Sequence, residues 1–272
     1  MSSDVLYVVR GPKGLFEMTW EEVSEALRET NIAILPVGSV EQHGRHLPLG
    51  SDSIQGTDIA RMVVERLGRD NIRVVAAPTI PFGISHAHMK FPGSITLSSG
   101  TLMAVIREVF LSLHAHGFRR FVLLLSHGGN LRTLNMAAQE LALELPDARF
   151  IVPDWLPVMG ARYPEVLRSD RPREEHHSGE GETARMLAST PNLVKMDRAE
   201  AFYPDEKVDP YRERPYPGPV VSTRGDIGMK EITPTGVQGD PRFATKETGE
   251  KLYDIVVDWL CSVIRAEFLG GD

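Results

Sequence analysis

The chain has 272 residues, of which 42% are hydrophobic and 25% charged, and its formal net charge is −7. This length allows one large domain with a substantial core, and the lack of a basic stripe argues against a nucleic-acid partner. No stretch is apolar enough to span a membrane, and the first residues lack the pattern of a signal peptide. The single cysteine, Cys261, excludes an internal disulfide. We therefore expect a soluble cytoplasmic protein.

Apolar runs and helically spaced apolar residues alternate along the chain. In chain order they predict a strand at 32–38, a helix at 54–67, a strand at 72–77, a helix at 102–116, a strand at 121–125, a helix that ends near 143, a strand around 150–152, and helices at 181–188 and 246–268. Strands that alternate with helices favour a mostly parallel sheet with helices on both faces.

Residues 202–242 differ in composition from the rest of the chain. Charged residues are dense there, and so are prolines: Pro204, Pro210, Pro215, Pro217 and Pro219. We interpret this stretch as a long excursion within a single domain spanning residues 1–272, and not as a second domain.

Polar side chains directly follow two of the predicted strands. Glu41 and His43 come after the strand at 32–38, and His127 comes after the strand at 121–125. The carboxyl ends of parallel strands lie at one edge of a sheet, and α/β sheets bind their ligands there. We therefore expect these side chains to converge.

The first of these polar segments offers candidate metal ligands. Glu41 and His43 share a face in extended backbone, and Asp52 follows after a turn punctuated by Gly and Pro. Carboxylate and imidazole ligands without thiolate suit Zn²⁺, Mn²⁺ or Fe²⁺. The alternative is a solvated polar loop in which Asp52 caps the next helix.

The second segment, residues 126–130, reads Ser-His-Gly-Gly-Asn. We predict that His127 points into the crevice as a metal ligand. The alternative is a Gly-rich turn between strand and helix, with Asn130 as the N-cap.

A third segment places two histidines and two acidic residues at a predicted helix start. They are His176, His177, Glu180 and Glu182. An acidic residue there also complements the helix dipole, and this is the alternative reading for Glu180. Glu182 lies near the first turn and is a candidate ligand, whereas His177 is a candidate for proton transfer.

The fourth segment, from Ser85 to Gly93, contains a His-x-His pair within a loop. The other segments already supply enough ligands. We therefore predict that Ser85 and His88 contact the substrate, with support of a metal ligand as the alternative for His88.

Together these segments resemble the creatininase (creatinine amidohydrolase) family. The resemblance rests on residues 35–44, 46–48, 52, 91–93, 126–130, 177–179, 182–183 and 236–241. These motifs occur in the family's order and cover nearly the whole chain. The resemblance implies a three-layer α/β/α sandwich with a mostly parallel central sheet.

The resemblance also implies a hydrolase with two divalent ions, Zn²⁺ paired with Zn²⁺, Mn²⁺ or Fe²⁺. By position, Glu41 and His127 would hold one ion, His43 the other, and Asp52 would bridge them. His177 matches the histidine that handles the substrate and the leaving-group proton. Family members act on small molecules and are often homo-oligomers, including hexamers.

Two positions depart from creatininase itself. Gly128 and Gly129 stand where creatininase has an aromatic residue and a metal-binding glutamate, so we expect Glu182 to complete the second metal site. Glu182 is also a candidate, with His177, for moving the proton in catalysis. A pocket tryptophan aligns near Arg173, and we expect Arg173 and Gly128 to contact the substrate here.

The resemblance implies hydrolysis of a C–N bond in an amide, cyclic amide or formamide, and these departures favour a substrate other than creatinine. Two alternatives stay open. The same centre could open the ring of an oxidised inositol by C–C hydrolysis. The chain could also be a non-catalytic metal-binding protein on the same fold.

Overall fold

A parallel sheet of four strands lies at the centre of the protein in a computed structural model, which describes residue 12 and residues 14–205 and 228–270. The strands are β1 (Ile32–Val37), β2 (Val75–Ala76), β3 (Arg120–Leu125) and β4 (Arg149–Ile151). Their order in the sheet is β2–β1–β3–β4, and every pair is parallel. β1 and β3 pair along their whole length, from Ile32 opposite Arg120 to Val37 opposite Leu125.

Side chains on the central strands alternate between two cores. Ile32 and Ile34 of β1 pack into one core, whereas Ala33, Leu35 and Val37 pack into the other. Both faces are covered, so all six residues of β1 are buried. Burial on both faces explains why the sequence shows a continuous apolar run instead of an alternating one.

The helices form a layer on each face of the sheet. They are α1 (Trp20–Ala26), α2 (Ser51–Gly68), α3 (Ser99–Ala115), α4 (Leu131–Glu144), α5 (Leu156–Val166), α6 (Glu180–Ser189), α7 (Met229–Ile232) and α8 (Lys246–Phe268). α1, α3 and α4 cover one face, and α2, α5 and α8 cover the other. This confirms the three-layer α/β/α sandwich. Across residues 14–205 and 228–270, no helix has both the length and the apolar character that a bilayer-spanning segment needs.

Three of these helices escaped the sequence prediction: α1, α5 and the four-residue α7. α1 is too short to show a clear helical pattern, although a capping box between Thr19 and Glu22 marks its start. α5 contains Pro157 in its first turn and Pro164 near its end, and these prolines hide the helical pattern. A proline in the first turn lacks only an N–H group that would have no partner within the helix.

The helix α6 is held against α8 at a point of close backbone approach. A Cβ atom on Gly249 of α8 would lie 2.0 Å from the carbonyl oxygen of Ala184. Only glycine allows the two backbones to come this close, and this contact fixes the position of α6 against α8. Since α6 carries Glu182 in its first turn, the packing also positions that carboxylate.

The predicted excursion at 202–242 falls partly outside the described residues, because 206–227 are not among them. Its described flanks approach each other, with Phe202 and Gly239 forming an antiparallel bridge. The extent of the single domain, residues 1–272, stays a prediction.

Asn130 stands at the N-cap position of α4, as the alternative for this segment expects, but its side chain does not cap the helix. Its side chain makes no cap hydrogen bond and is fully buried. Its Nδ2 group donates to the carbonyls of Val37 (3.1 Å) and Gly38 (3.0 Å), and its Oδ1 accepts from the Ile84 amide (2.9 Å). Asn130 thus joins the ends of β1 and β3 to the loop containing residue 84.

We expect Asn130→Ala to lower the free energy of unfolding by about 2–4 kcal/mol, because the Gly38 carbonyl and the Ile84 amide lose their partner and the Val37 carbonyl keeps only its bond from the Ser126 amide. Urea denaturation would measure the change. Asn135→Ala, at an exposed position on α4, is the matched control and should change stability by less than about 0.5 kcal/mol. Equal effects of the two substitutions would contradict a joining role for Asn130.

Candidate metal centre

Six of the predicted side chains meet at the carboxyl edge of the sheet. Loops after β1 and β3, the first turn of α2 and the start of α6 supply them: Glu41, His43, Asp52, His127, His177 and Glu182. Glu41 and His43 are only 1% and 0% exposed, so they do not belong to a solvated loop. Asp52 lies inside the first turn of α2 and is not its N-cap, which is Gly50.

One group of candidate ligands consists of Glu41, Asp52 and His127. The Nδ1 atom of His127 lies 3.2 Å from Asp52 Oδ2, and its Nε2 atom lies 3.3 Å from Glu41 Oε2. One potential ligand atom from each residue falls within 4.8 Å of the others. These three side chains can therefore surround one ion.

A second group consists of His43, Asp52 and Glu182. The Nε2 atom of His43 lies 3.2 Å from Asp52 Oδ1 and 3.8 Å from Glu182 Oε2. Asp52 is common to both groups, and its two oxygens face different histidines, Oδ1 toward His43 and Oδ2 toward His127. This is the arrangement that a carboxylate shared by two ions requires.

Several buried atoms of the two groups have no hydrogen-bond partner. They are Glu41 Oε1, His43 Nε2 and Asp52 Oδ2. Buried polar atoms are costly when they are unpaired, and oxygen and imidazole nitrogen atoms are the usual ligands of Zn²⁺ and related ions. The donor set therefore fits divalent cations.

Backbone carbonyls orient the two histidines that face Asp52. His43 donates from Nδ1 to the carbonyl of Glu41 at 3.1 Å, and His127 donates from Nε2 to the carbonyl of Ile84 at 2.9 Å. When each ring is neutral, as a metal ligand must be, its second nitrogen carries no proton; this atom is Nε2 in His43 and Nδ1 in His127, and both face Asp52. Such outer hydrogen bonds fix the tautomer and orientation of metal-binding histidines.

Gly129 is needed for this orientation of His127. A Cβ atom at Gly129 would lie 2.4 Å from His127 Nε2 and 2.5 Å from the Ile84 carbonyl oxygen. Any side chain would therefore disrupt the hydrogen bond that orients the ring. With no carboxylate at position 129, Glu182 is the acidic member of the second group, as the sequence predicts for the second site.

Glu182 is held by a backbone amide in an unusual conformation. The Ser178 N–H donates to Glu182 Oε2 at 2.6 Å, and Ser178 has a φ of 55°. A non-glycine residue in the left-handed region is uncommon and clusters at functional sites. The turn before α6 thus aims the carboxylate toward His43.

Charges at the centre shift the pKa values strongly. Burial lowers the pKa of His43, but the surrounding carboxylates, led by Asp52, outweigh burial and raise it to about 10. Burial likewise lowers the pKa of His127, and Glu41 and Asp52 raise it to about 9. Burial raises the pKa of Asp52, yet both histidines hold it well below its usual range. The centre therefore requires positive charge, supplied by protons or by cations.

His177 faces the centre with an unprotonated nitrogen. Its Nε2 group donates to the Gln42 carbonyl at 2.7 Å, and its Nδ1 atom lies 4.0 Å from both Glu41 Oε1 and Glu182 Oε2. Burial, and then repulsion from His43, lowers the pKa of His177. A neutral imidazole in this position can accept and return a proton.

Sequence reasoning did not single out the Gln42 side chain. Its Nε2 atom lies 3.1 Å from His88 Nδ1 and 3.0 Å from His177 Nε2. It is 4% exposed and lies between Glu41 and His43 in the chain. Its position between two candidate metal ligands is the feature of the sequence that could have identified Gln42 as part of the site.

The predicted substrate contacts lie at different depths. Ser85 is 1% exposed, and its hydroxyl donates to Glu41 Oε2 at 2.6 Å, so it lies behind that carboxylate. Burial and neighbouring histidines lower the pKa of His88 to about 2, and its Nε2 atom is 3.5 Å from Glu41 Oε1. His88, Gly128 and Arg173 line a cavity of about 920 Å³ that opens onto the centre. Their contacts with substrate stay predictions.

Comparison with known proteins identifies relatives along most of the chain. The family model for creatininase, described as creatinine amidohydrolase, matches residues 16–264. The mycofactocin precursor peptide peptidase of Mycobacterium tuberculosis is 31% identical over 230 residues, covering 83% of this chain and 81% of that protein. The creatinine amidohydrolase of Pseudomonas putida is 26% identical over 268 residues, covering 93% and 96%. The 3-dehydro-scyllo-inosose hydrolase of Thermotoga maritima is 25% identical over 273 residues, covering 93% and 84%.

Solved structures share the fold. The putative creatinine amidohydrolase of Bacteroides fragilis superimposes with a TM-score of 0.78 at 26% identity, covering 94% of this chain and 96% of that one. A manganese form of creatininase gives 0.73 at 27% identity, and a Zn–Zn form of a creatininase mutant gives 0.73 at 26%; each covers 94% of this chain and 99% of the other. The chain belongs to the creatininase family and is a metal-dependent hydrolase.

Proposed function

We propose that this enzyme hydrolyses a C–N bond in a small polar amide, using two divalent ions that share Asp52. One observation carries the proposal: the two oxygens of Asp52 face two separate groups of candidate ligands. In two-metal hydrolases a shared carboxylate holds the ions close enough to act on one water molecule and one carbonyl.

The proposed ligand sets follow the two groups. Glu41 and His127 would hold the first ion, and His43 and Glu182 the second. We propose Zn²⁺ with Zn²⁺, Mn²⁺ or Fe²⁺, since the ligands are carboxylate and imidazole. The manganese and Zn–Zn forms of the related creatininase support this choice.

The ions, when bound, lower the pKa of a water molecule and polarise the substrate carbonyl. The side chains supply the rest of the chemistry. His177 accepts a proton at Nδ1 and passes it to the leaving nitrogen, while its Nε2–H group stays bonded to the Gln42 carbonyl. The Ser85 hydroxyl holds the Glu41 carboxylate in place by donating to its Oε2 atom.

The pocket favours a substrate other than creatinine. Arg173 lines the cavity at the position where creatininase is expected to have a tryptophan, and Gly128 takes the place of an aromatic residue. A cationic, less aromatic wall suits a polar or acidic amide better than a flat neutral ring. The peptide-cleaving relatives show that the family scaffold accepts linear amides.

A cytoplasmic location and a homo-oligomeric assembly stay predictions from the sequence.

The second candidate function is hydrolytic opening of a cyclic ketone. The observation that favours it is the similarity to the inosose hydrolase of Thermotoga maritima. The proposed ligands serve both reactions, so the centre alone does not separate them. A purely structural, metal-binding role is less well supported, because buried unpaired atoms and a neutral His177 meet beside an open cavity.

The assignments of Glu182 and His177 predict different outcomes for their alanine variants. Glu182→Ala should lose about one ion per chain, because it removes a ligand of the second site. His177→Ala should keep both ions but lower kcat by about 100-fold or more, because it removes the proton carrier. Elemental analysis with steady-state kinetics would test this. Glu174→Ala, with a half-exposed side chain, is the control. If His177→Ala lost an ion and Glu182→Ala did not, His177 would be the metal ligand and Glu182 the proton carrier.

A substrate panel tests the reaction itself. The metal-loaded enzyme should release an amine or ammonia from linear amides or formamides, or open a cyclic amide to a single product heavier by one water, and should leave keto-inositols intact. Mass spectrometry of the products distinguishes the two reactions. Ring opening of a keto-inositol without amide cleavage would favour the second candidate. Absence of both turnover and metal uptake would favour a non-catalytic protein.

A further inference from the structure

The helices that carry Asp52 and Glu182 carry a second polar pair one turn further along. Gln55 follows Asp52 by three residues on α2, and Arg185 follows Glu182 by three residues on α6. Residues three apart lie on the same face of a helix. The two outer residues meet, with Arg185 Nε donating to Gln55 Oε1 at 2.5 Å. Both line the same cavity as the candidate metal centre.

The Arg185 guanidinium is buried among neutral groups. The residue is 1% exposed, its Nη1 atom contacts the sulfur of Met159 at 2.9 Å, and the guanidinium lies 5.6 Å from the centre of the Trp155 ring. The phenol of Tyr163 lies beside it. None of these neighbours carries the negative charge that a buried cation ordinarily needs.

The nearest carboxylate in the described part of the chain belongs to Glu182. Its Oε1 atom lies 3.9 Å from Arg185 Nη2, which exceeds hydrogen-bond distance, and its Oε2 atom points toward His43. Gln55 adds a second donor, because its Nε2 group is buried and has no hydrogen-bond partner. Beside the cavity there is thus a guanidinium with no carboxylate within hydrogen-bond distance, next to an amide N–H group with no partner.

We propose that Arg185 and Gln55 form a subsite for a carboxylate of the substrate. A planar guanidinium matches a carboxylate in shape and charge, and the Gln55 amide supplies a further donor. The subsite lies one helical turn, about 5 Å, from Asp52 and Glu182. The substrate is then an amide with a carboxylate a few bonds from the scissile C–N bond, derived from an amino acid or a short peptide. This inference rests on the proposed function.

Glutarate is a suitable probe, because one carboxylate can reach the metal centre and the other can reach Arg185. Pentanoate, in which one carboxylate of glutarate is replaced by a methyl group, is the matched control ligand, because it has no amide bond to hydrolyse and cannot place carboxylates at both positions. Isothermal titration calorimetry on the metal-loaded protein should show at least tenfold tighter binding of glutarate. Arg185→Met should abolish this preference, and Arg171→Met, at an exposed residue outside the cavity, should retain it.

Thermal unfolding and elemental analysis verify that each variant folds and holds its ions. If Arg185→Met does not fold, Gln55→Leu removes the unpaired donor and should weaken glutarate binding at least threefold while reducing the preference over pentanoate. A folded, loaded Arg185→Met protein that keeps the preference overturns the subsite. If Arg173→Met loses the preference for glutarate and Arg185→Met keeps it, the carboxylate binds at the cavity mouth, and this result also overturns the subsite. A wild-type protein that takes up no metal overturns the proposed function and this inference together, whereas a loaded protein without the preference overturns this inference alone.

Discussion

The shared carboxylate of Asp52 is the contact on which the rest of the site depends. Its two oxygens lie 3.2 Å from ring nitrogens of His43 and His127, which come from loops after different strands. The backbone of Asp52 is itself tied to the end of β3, because the Ser126 hydroxyl donates to its carbonyl. The start of α2 is thereby fixed against the edge of the sheet. Small shifts of this helix would separate both ligand groups at once.

The same carboxylates also concentrate negative charge at the centre. Glu41, Asp52 and Glu182 bring three acidic groups into a small buried volume, and such groups repel one another unless cations or protons balance them. The raised pKa values of His43 and His127 show how strongly the centre attracts positive charge. Divalent ions satisfy this demand and also supply the chemistry of a hydrolase.

The sheet and the convergence of ligands were predictable from the sequence. β1 and β3 are buried on both faces, so they appear as continuous apolar runs, and polar residues just after parallel strands must meet at one edge. Helix α5 was not predictable by the same reasoning, because its prolines conceal the helical pattern. The pairing of Arg185 with Gln55 depends on how α2 and α6 cross, and no local pattern in the sequence reports that.

The candidate metal centre and the proposed subsite occupy neighbouring parts of the scaffold. The candidate ligands meet around Asp52 at the edge of the sheet, whereas Gln55 and Arg185 lie one helical turn further along α2 and α6. Under our proposals, residues near the sheet edge would set the chemistry, and residues one helical turn away would set the choice of substrate.

Electron paramagnetic resonance of the protein loaded with two equivalents of Mn²⁺ tests the shared carboxylate most directly. Two ions that share Asp52 should be close enough for their spins to couple, because paired sites of this kind are about 3.5–4 Å apart. We expect the second equivalent to replace the six-line signal of isolated Mn²⁺ with a broad, coupled spectrum. A signal of isolated Mn²⁺ that simply doubles with the second equivalent would contradict a two-metal centre at Asp52.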